Sequence, residues 1–139
     1  MTIGGQLPNP DGTFRKERLE AAFTDAADWA PYLFSRGEHP VGFAFVRATR
    51  GPIRVLNSFF VVRAARQAGV GLWAVREVVR RHPGEWEVAF QDDNPGAVRF
   101  WRRAAEELGP GAWREERRPV PDRPDLAPDA WISFRYPDP

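Results

Sequence analysis

Val61-Val62-Arg63-Ala64-Ala65-Arg66-Gln67-Ala68-Gly69-Val70-Gly71 is the stretch from which the rest of this 139-residue chain can be read. Upstream of it, Arg54 to Val62 is rich in β-branched and aromatic residues and follows Gly51 and Pro52, the pattern of a strand. Downstream, Leu72, Val75, Val78 and Val79 recur at three- and four-residue spacing while Arg76, Glu77, Arg80 and Arg81 fall largely elsewhere. That spacing predicts a helix between Gly69 and His82. A strand running into a helix through spaced glycines lets backbone N–H groups converge on an anion such as a phosphate. A side chain at Gly69 or Gly71 would hold that anion off the main chain, and Arg63 and Arg66 add positive charge nearby. Taken alone, two glycines before a helix fit a plain tight turn equally well.

Working outward, Pro83 and Gly84 end the helix and Trp86 to Phe90 reads as a short strand. Asn94 and Pro95 then form an N-cap and first-turn pair, since Asn accepts from free amides and Pro has no amide to satisfy. The helix they open carries the apolar stripe Ala97, Val98, Trp101, Ala104, Ala105 and Leu108, and Gly109, Pro110 and Gly111 stop it. Upstream, Tyr32 to Ser35, Val41 to Ala48 and Arg54 to Val62 read as an antiparallel meander. At the far end, Trp113 to Arg118 and Ala130 to Tyr136 read as a strand pair joined by a long segment with Pro119, Pro121, Pro124 and Pro128. Residues 1–12, with Gly4, Gly5, Pro8, Pro10 and Gly12, read as a loose arm, and a short helix is expected from Thr13 to Thr24, closed by Asp25 to Pro31.

The order R-x-x-G-x-G after a strand, then a helix, a short strand and Asn94 opening a second helix, resembles the GNAT superfamily of N-acetyltransferases. The resemblance covers about Val41 to Leu108 and extends more loosely to the last two strands. It implies an α/β (α+β) fold: a mixed, largely antiparallel sheet with flanking helices and a splayed central pair of parallel strands, Arg54 to Val62 and Trp86 to Phe90. It further implies that Arg66, Gln67, Ala68, Gly69, Val70 and Gly71 hold the pyrophosphate of acetyl-coenzyme A. Phe60 and Val61 match the strand positions whose backbone pairs with the pantetheine arm, and Asn94 matches an Asn that contacts the coenzyme. The implied reaction is direct acetyl transfer to a primary amine of a small molecule or peptide within a ternary complex.

Three positions depart from the family pattern. Where a carboxylate commonly precedes the loop, this chain has Asn57, Ser58 and Phe59; where a Tyr commonly returns a proton to the thiolate, it has Trp101; where some members place a Glu on the later strand, it has Ala89. An indole can pack against the coenzyme but does not titrate usefully. Glu87 shares the face of Ala89 and is the leading substitute base, set against a carboxylate that merely faces solvent or an ion-pair partner. Ser58 could relay a proton through water, Asp92 and Asp93 suit a solvated loop, and Glu38 with His39 suits a surface turn. The family's usual first strand and helix are replaced by the loose arm, which would leave a sheet edge bare and makes a homodimer the natural expectation, with Trp29, Tyr32, Phe34, Phe43 and Phe45 as candidates for the covered surface.

Length and apolar content suit one domain spanning residues 1–139. With no cysteine, disulfides, thiolate metal sites and a cysteine nucleophile are excluded, and His39 and His82 are the only imidazoles, so no metal is expected. Twenty basic against nineteen acidic side chains leave a charge of +1, too little for general attraction to nucleic acid or anionic membranes. The longest apolar runs fall far below the roughly 20 residues needed to cross a bilayer. The N-terminus lacks the pattern of a secretory signal, and the expected location is the cytoplasm. Beside the N-acetyltransferase stand two alternatives: an inactive relative used for coenzyme sensing or protein association, and an interaction module that never binds the coenzyme.

Overall fold

The structure, a computed structural model, describes residues 2–4, 28–66 and 69–137. Its elements are β1 (Thr2–Gly4), β2 (Trp29–Arg36), β3 (His39–Arg47), β4 (Ile53–Val61), α1 (Arg63–Arg66), α2 (Val70–Arg80), β5 (Gly84–Phe90), α3 (Pro95–Leu108), β6 (Arg114–Arg118) and β7 (Asp129–Tyr136). The strands form one sheet in the order β1-β2-β3-β4-β5-β7-β6. Every neighbouring pair is antiparallel except β4 and β5, which run parallel and are joined through α1 and α2.

Period-two alternation sorts the strand residues by face. Phe34, Ala44, Val46, Leu56, Trp86, Val88, Phe90, Ala130, Ile132 and Phe134 are buried together with the apolar stripes of α2 and α3. From α2 these are Val70, Ala74, Val75, Val78 and Val79, and from α3 Trp101, Ala104, Ala105 and Leu108. Each large side chain buried this way contributes about 1.5–3 kcal/mol relative to exposure. The helix spacing that predicted both stripes is therefore the spacing that packs them on the sheet.

The middle of the sheet separates for a local reason. Phe45 pairs with Ser58 and Val46 with Leu56, which leaves Asn57 as an extra residue, a β-bulge on β4. A bulge bends its strand and increases its twist. The parallel pairing of β4 with β5 ends at Leu56 and Val88, next to that bulge. Beyond it β4 stays with β3 as far as Val61, while β5 stays with β7 through Ala89 and Phe90. The two central strands thus diverge, as expected from the family resemblance.

Three expectations are corrected. Residues 2–4 are not part of a loose arm: they form β1 and pair with Leu33, Phe34 and Ser35, so a first strand is present and β2 is not a bare edge. Pro31 does not close the preceding segment but lies inside β2, opposite Phe45. Phe45 belongs to a pair whose ladder bonds point to β4, so the nitrogen of Pro31 faces away from β3, on the side that β1, ending opposite Leu33, does not reach. Finally, the strand does not pass straight into the long helix. Arg63–Arg66 forms a helical turn of its own, with Ala65 buried as its apolar anchor. The helix expected over Thr13 to Thr24 lies outside the described residues.

Candidate functional site

Where β4 and β5 diverge, a cleft of about 400 Å³ opens against the N-terminal ends of α2 and α3. Six residues singled out from the sequence line it together: Phe60, Val61, Arg66, Gly71, Asn94 and Trp101. The sequence reading missed Phe59, Gly96, Ala97 and Phe100, which complete the lining. Three of these had a signal. Gly96 and Ala97 are small residues in the first turn after an N-cap, where a helix backbone can be approached closely, and Phe100 adjoins Trp101.

The antiparallel ladder decides which backbone groups of β4 look into the gap. Val62 N–H donates to Val41 carbonyl at 2.7 Å, so by alternation the backbone groups of Phe60 and Ser58 also point to β3. Those of Phe59 and Val61 point the other way, where β5 has already left. The ring of Phe60, stacked on Phe43 at 5.8 Å, belongs to the wall of the cleft, whereas the gap-facing amides come from its two neighbours.

At the start of α2, Gly69 occupies the N-cap with φ of 77°, the left-handed region, and among the described residues no side chain caps the helix. A Cβ on Gly69 would meet nothing within 4 Å, so the position favours glycine for its backbone conformation and not for crowding. No acidic residue lies in that first turn. Val70 turns its side chain into the core and can offer only its backbone. At Gly71 a Cβ would come within 2.9 Å of Phe100 Cε1, so the close packing of α2 against α3 requires glycine there. Gln67 and Ala68 lie outside the described residues.

Asn94 caps α3, its Oδ1 accepting from Ala97 N–H at 3.1 Å, with Pro95 in the first turn. The loop before it is clamped: Arg117 on β6 donates to both carboxylate oxygens of Asp92, at 2.6 and 2.7 Å. Arg117 and Arg102 also hold Glu115, tying β6 to α3. The Arg102 guanidinium is the main reason that Glu115 titrates at about 2, well below its usual value, with Arg117 acting in the same direction against some desolvation. Trp101 is almost buried, its ring edge-on to Phe59 at 5.4 Å and Phe100 at 4.8 Å.

The two candidate proton acceptors lie on the sheet face turned away from α2 and α3. Ser58 sits on β4 just past the bulge. Glu87 is on β5, where one carboxylate oxygen accepts from Arg118 and from Ser133 Oγ. Arg118 in turn lies over the Trp131 ring, 4.6 Å from its centroid, and pairs with Glu116. Neither Ser58 nor Glu87 lines the cleft, and the described lining contains no carboxylate, imidazole or phenol.

A family model described as the acetyltransferase (GNAT) family matches residues 6–105, most of the chain. The chain belongs to the GNAT acetyltransferase family. Solved structures agree in fold. A GNAT family acetyltransferase from Elizabethkingia anophelis with acetyl-CoA bound superimposes with a TM-score of 0.67 at 12% identity, covering 96% of this chain and 97% of that one. The ribosomal-protein-S18-alanine N-acetyltransferase from Escherichia coli gives 0.64 at 15% identity, covering 99% and 95%. A Bacillus subtilis acetyltransferase in complex with CoA gives 0.61 at 9% identity, covering 86% and 85%. No curated protein matches the chain in sequence. In this GNAT chain β6 and β7, which follow the matched residues, continue the same sheet. Among the described residues no helix is long and apolar enough to cross a membrane.

Proposed function

We propose that this chain is an acetyl-coenzyme A-dependent N-acetyltransferase that passes an acetyl group to a primary amine by direct attack in a ternary complex. The observation that carries this reading is the run of β4 beyond Leu56, whose gap-facing backbone has no strand opposite it and opens on a cleft ending at the uncapped start of α2. Backbone amides removed from water without a partner are costly, so such a gap favours a ligand that carries amides of its own. The residues present suit the coenzyme. Phe59 and Val61 offer strand-like pairing to the pantetheine arm. Arg66 and the first amides of α2 suit its diphosphate, and Asn94, Phe100 and Trp101 close the opposite wall.

When bound, the coenzyme supplies an acetyl thioester open to attack by an amine nitrogen. A gap-facing N–H of Phe59 or Val61 polarises the carbonyl under attack and stabilises the charge that develops on its oxygen. Ser58 and Glu87 are the proposed proton acceptors; both lie outside the cleft, on the face of the sheet away from α2 and α3, so the amine proton would reach either of them through water. Trp101 shields the reacting end from water, with an indole that does not return a proton to the thiolate. A homodimer was expected because a bare edge at β2 would need covering; β1 removes that premise, and the reading needs only one chain.

A second reading, a GNAT protein that binds the coenzyme without turnover, is favoured by one observation: no titratable acid or base lines the described cleft, and Glu87 is held by Arg118. A panel of primary amines with acetyl-coenzyme A, followed by thiol release, decides between them. The enzyme reading expects release with at least one amine, lost in Gly69→Glu, which places a charge and a strained residue at the phosphate turn. Coenzyme binding without release on any amine would establish the second reading instead.

A further inference from the structure

The cleft already contains a side chain that is bonded to one of its gap-facing groups. Arg66, at the end of α1, lines the cleft and donates its Nε–H to the carbonyl of Val61 at 2.8 Å. Its guanidinium carbon lies 5.5 Å from the centroid of the Phe60 ring. Val61 is one of the two residues whose backbone the ladder turns into the gap. A molecule that adds to β4 as an extended strand pairs its amides with successive gap-facing groups, and Val61 carbonyl is among them. A carbonyl has two lone pairs, so the contest is for space as well as for the acceptor: the guanidinium is held on Val61 and over the Phe60 ring, two residues that line the same cleft.

We propose that Arg66 is a resident plug of the cleft, held on Val61 carbonyl in the free protein, displaced by the amide-bearing arm of the ligand, and then released to pair with the ligand's phosphates. This rests on the coenzyme reading above and adds to it a coupling between the two ends of the ligand. The arm must expel Arg66, and the phosphates give the expelled cation a new partner. A ligand with an arm and no phosphate therefore meets only the cost of expulsion, whereas one with both recovers it. Arg66 is exposed, so replacing it removes nothing from the core.

Arg66→Ala should then move two affinities in opposite directions. Calorimetric titration of the full chain with coenzyme A should show weaker binding in the variant, by roughly tenfold, the worth of a charge-assisted hydrogen bond. Pantetheine, titrated as a competitor of coenzyme A, should bind the variant more tightly than the unsubstituted protein, by roughly threefold to tenfold, the worth of one net hydrogen bond no longer broken. Pantetheine that competes equally or less well against the variant, or that competes with neither protein, overturns the plug. Failure of the unsubstituted protein to bind coenzyme A at all overturns the coenzyme reading, and the plug with it, so the two failures are told apart in one set of titrations.

Discussion

At the residue scale, two glycines two positions apart carry different constraints. Gly69 is needed for its backbone: at φ of 77° an L-residue is strained, yet its Cβ would point into open space. Gly71 is needed for its missing side chain, because Phe100 stands 2.9 Å from where a Cβ would be. Phe100 cannot withdraw freely, being stacked on Phe59 at 5.9 Å and set against Trp101 at 4.8 Å. Gly71→Ala should therefore push Phe100 toward the cleft, cost about 1–3 kcal/mol by overpacking, and weaken coenzyme binding. Paired thermal melts with and without coenzyme A measure both; a variant that melts and binds like the parent would show that the helices simply slide apart. Gly69→Ala, by contrast, should cost about 1–2 kcal/mol through strain alone and leave the packing around Phe100 unchanged.

At the element scale, α3 is set by its first residues. Asn94 supplies the cap bond to Ala97, and replacing it by Ala should cost about 1 kcal/mol, read as a lower denaturation midpoint with an unchanged slope. At the other end of α2, Tyr32 hydroxyl lies 2.6 Å from His82 Nε2, and Trp86 Nε1–H donates to His82 carbonyl. Burial lowers the pKa of His82, and the Arg54 and Arg81 guanidiniums lower it further. The folded state thus binds fewer protons than the unfolded chain once pH falls below the ordinary value of about 6.5. Stability contributed by neutral His82 is complete above that value and is lost progressively as pH falls toward the depressed folded value. Denaturant midpoints compared at pH 7.5 and 5.5 should show the loss, and His82→Gln should flatten it; an identical pH dependence in the variant would assign the effect elsewhere.

At the scale of the whole molecule, the sheet has two edges, and they are managed differently. The β6 edge is Arg114-Glu115-Glu116-Arg117-Arg118, charged throughout and therefore a poor template for another strand. The other is β1, which covers β2 and removes the reason for expecting a second copy. A ligand bound only by the folded chain raises its stability as a unit. Coenzyme A at a hundredfold excess over its dissociation constant should add about 2.7 kcal/mol, raising the melting temperature by about 10 °C for a domain of this size. No shift at any concentration would remove the coenzyme from the account while leaving the fold intact.

The elements from β3 to α3, apart from α1, were legible because each rests on a local signal: apolar spacing for α2 and α3, Asn94-Pro95 for the start of one helix, Gly109 and Pro110 for its end. The glycine-bearing turn before α2 was legible for the same reason, as a run of contiguous residues. β1 was not, because three residues beside glycines and prolines carry no periodicity and become a strand only when β2 offers them partners. Nor was Phe59, since which backbone groups face the gap depends on a ladder set by Val41 and Val62 across two strands. The fate of Glu87 was likewise out of reach, decided by Arg118 and Ser133 at sequence distances of 31 and 46 residues. The sequence alone therefore determined α2 and α3, the glycines of the turn before α2 and the family they imply. Tertiary structure decided where β4 leaves β5, which amides that opens and which carboxylates are already engaged, because pairing across strands and ion pairs between distant residues have no period along the chain.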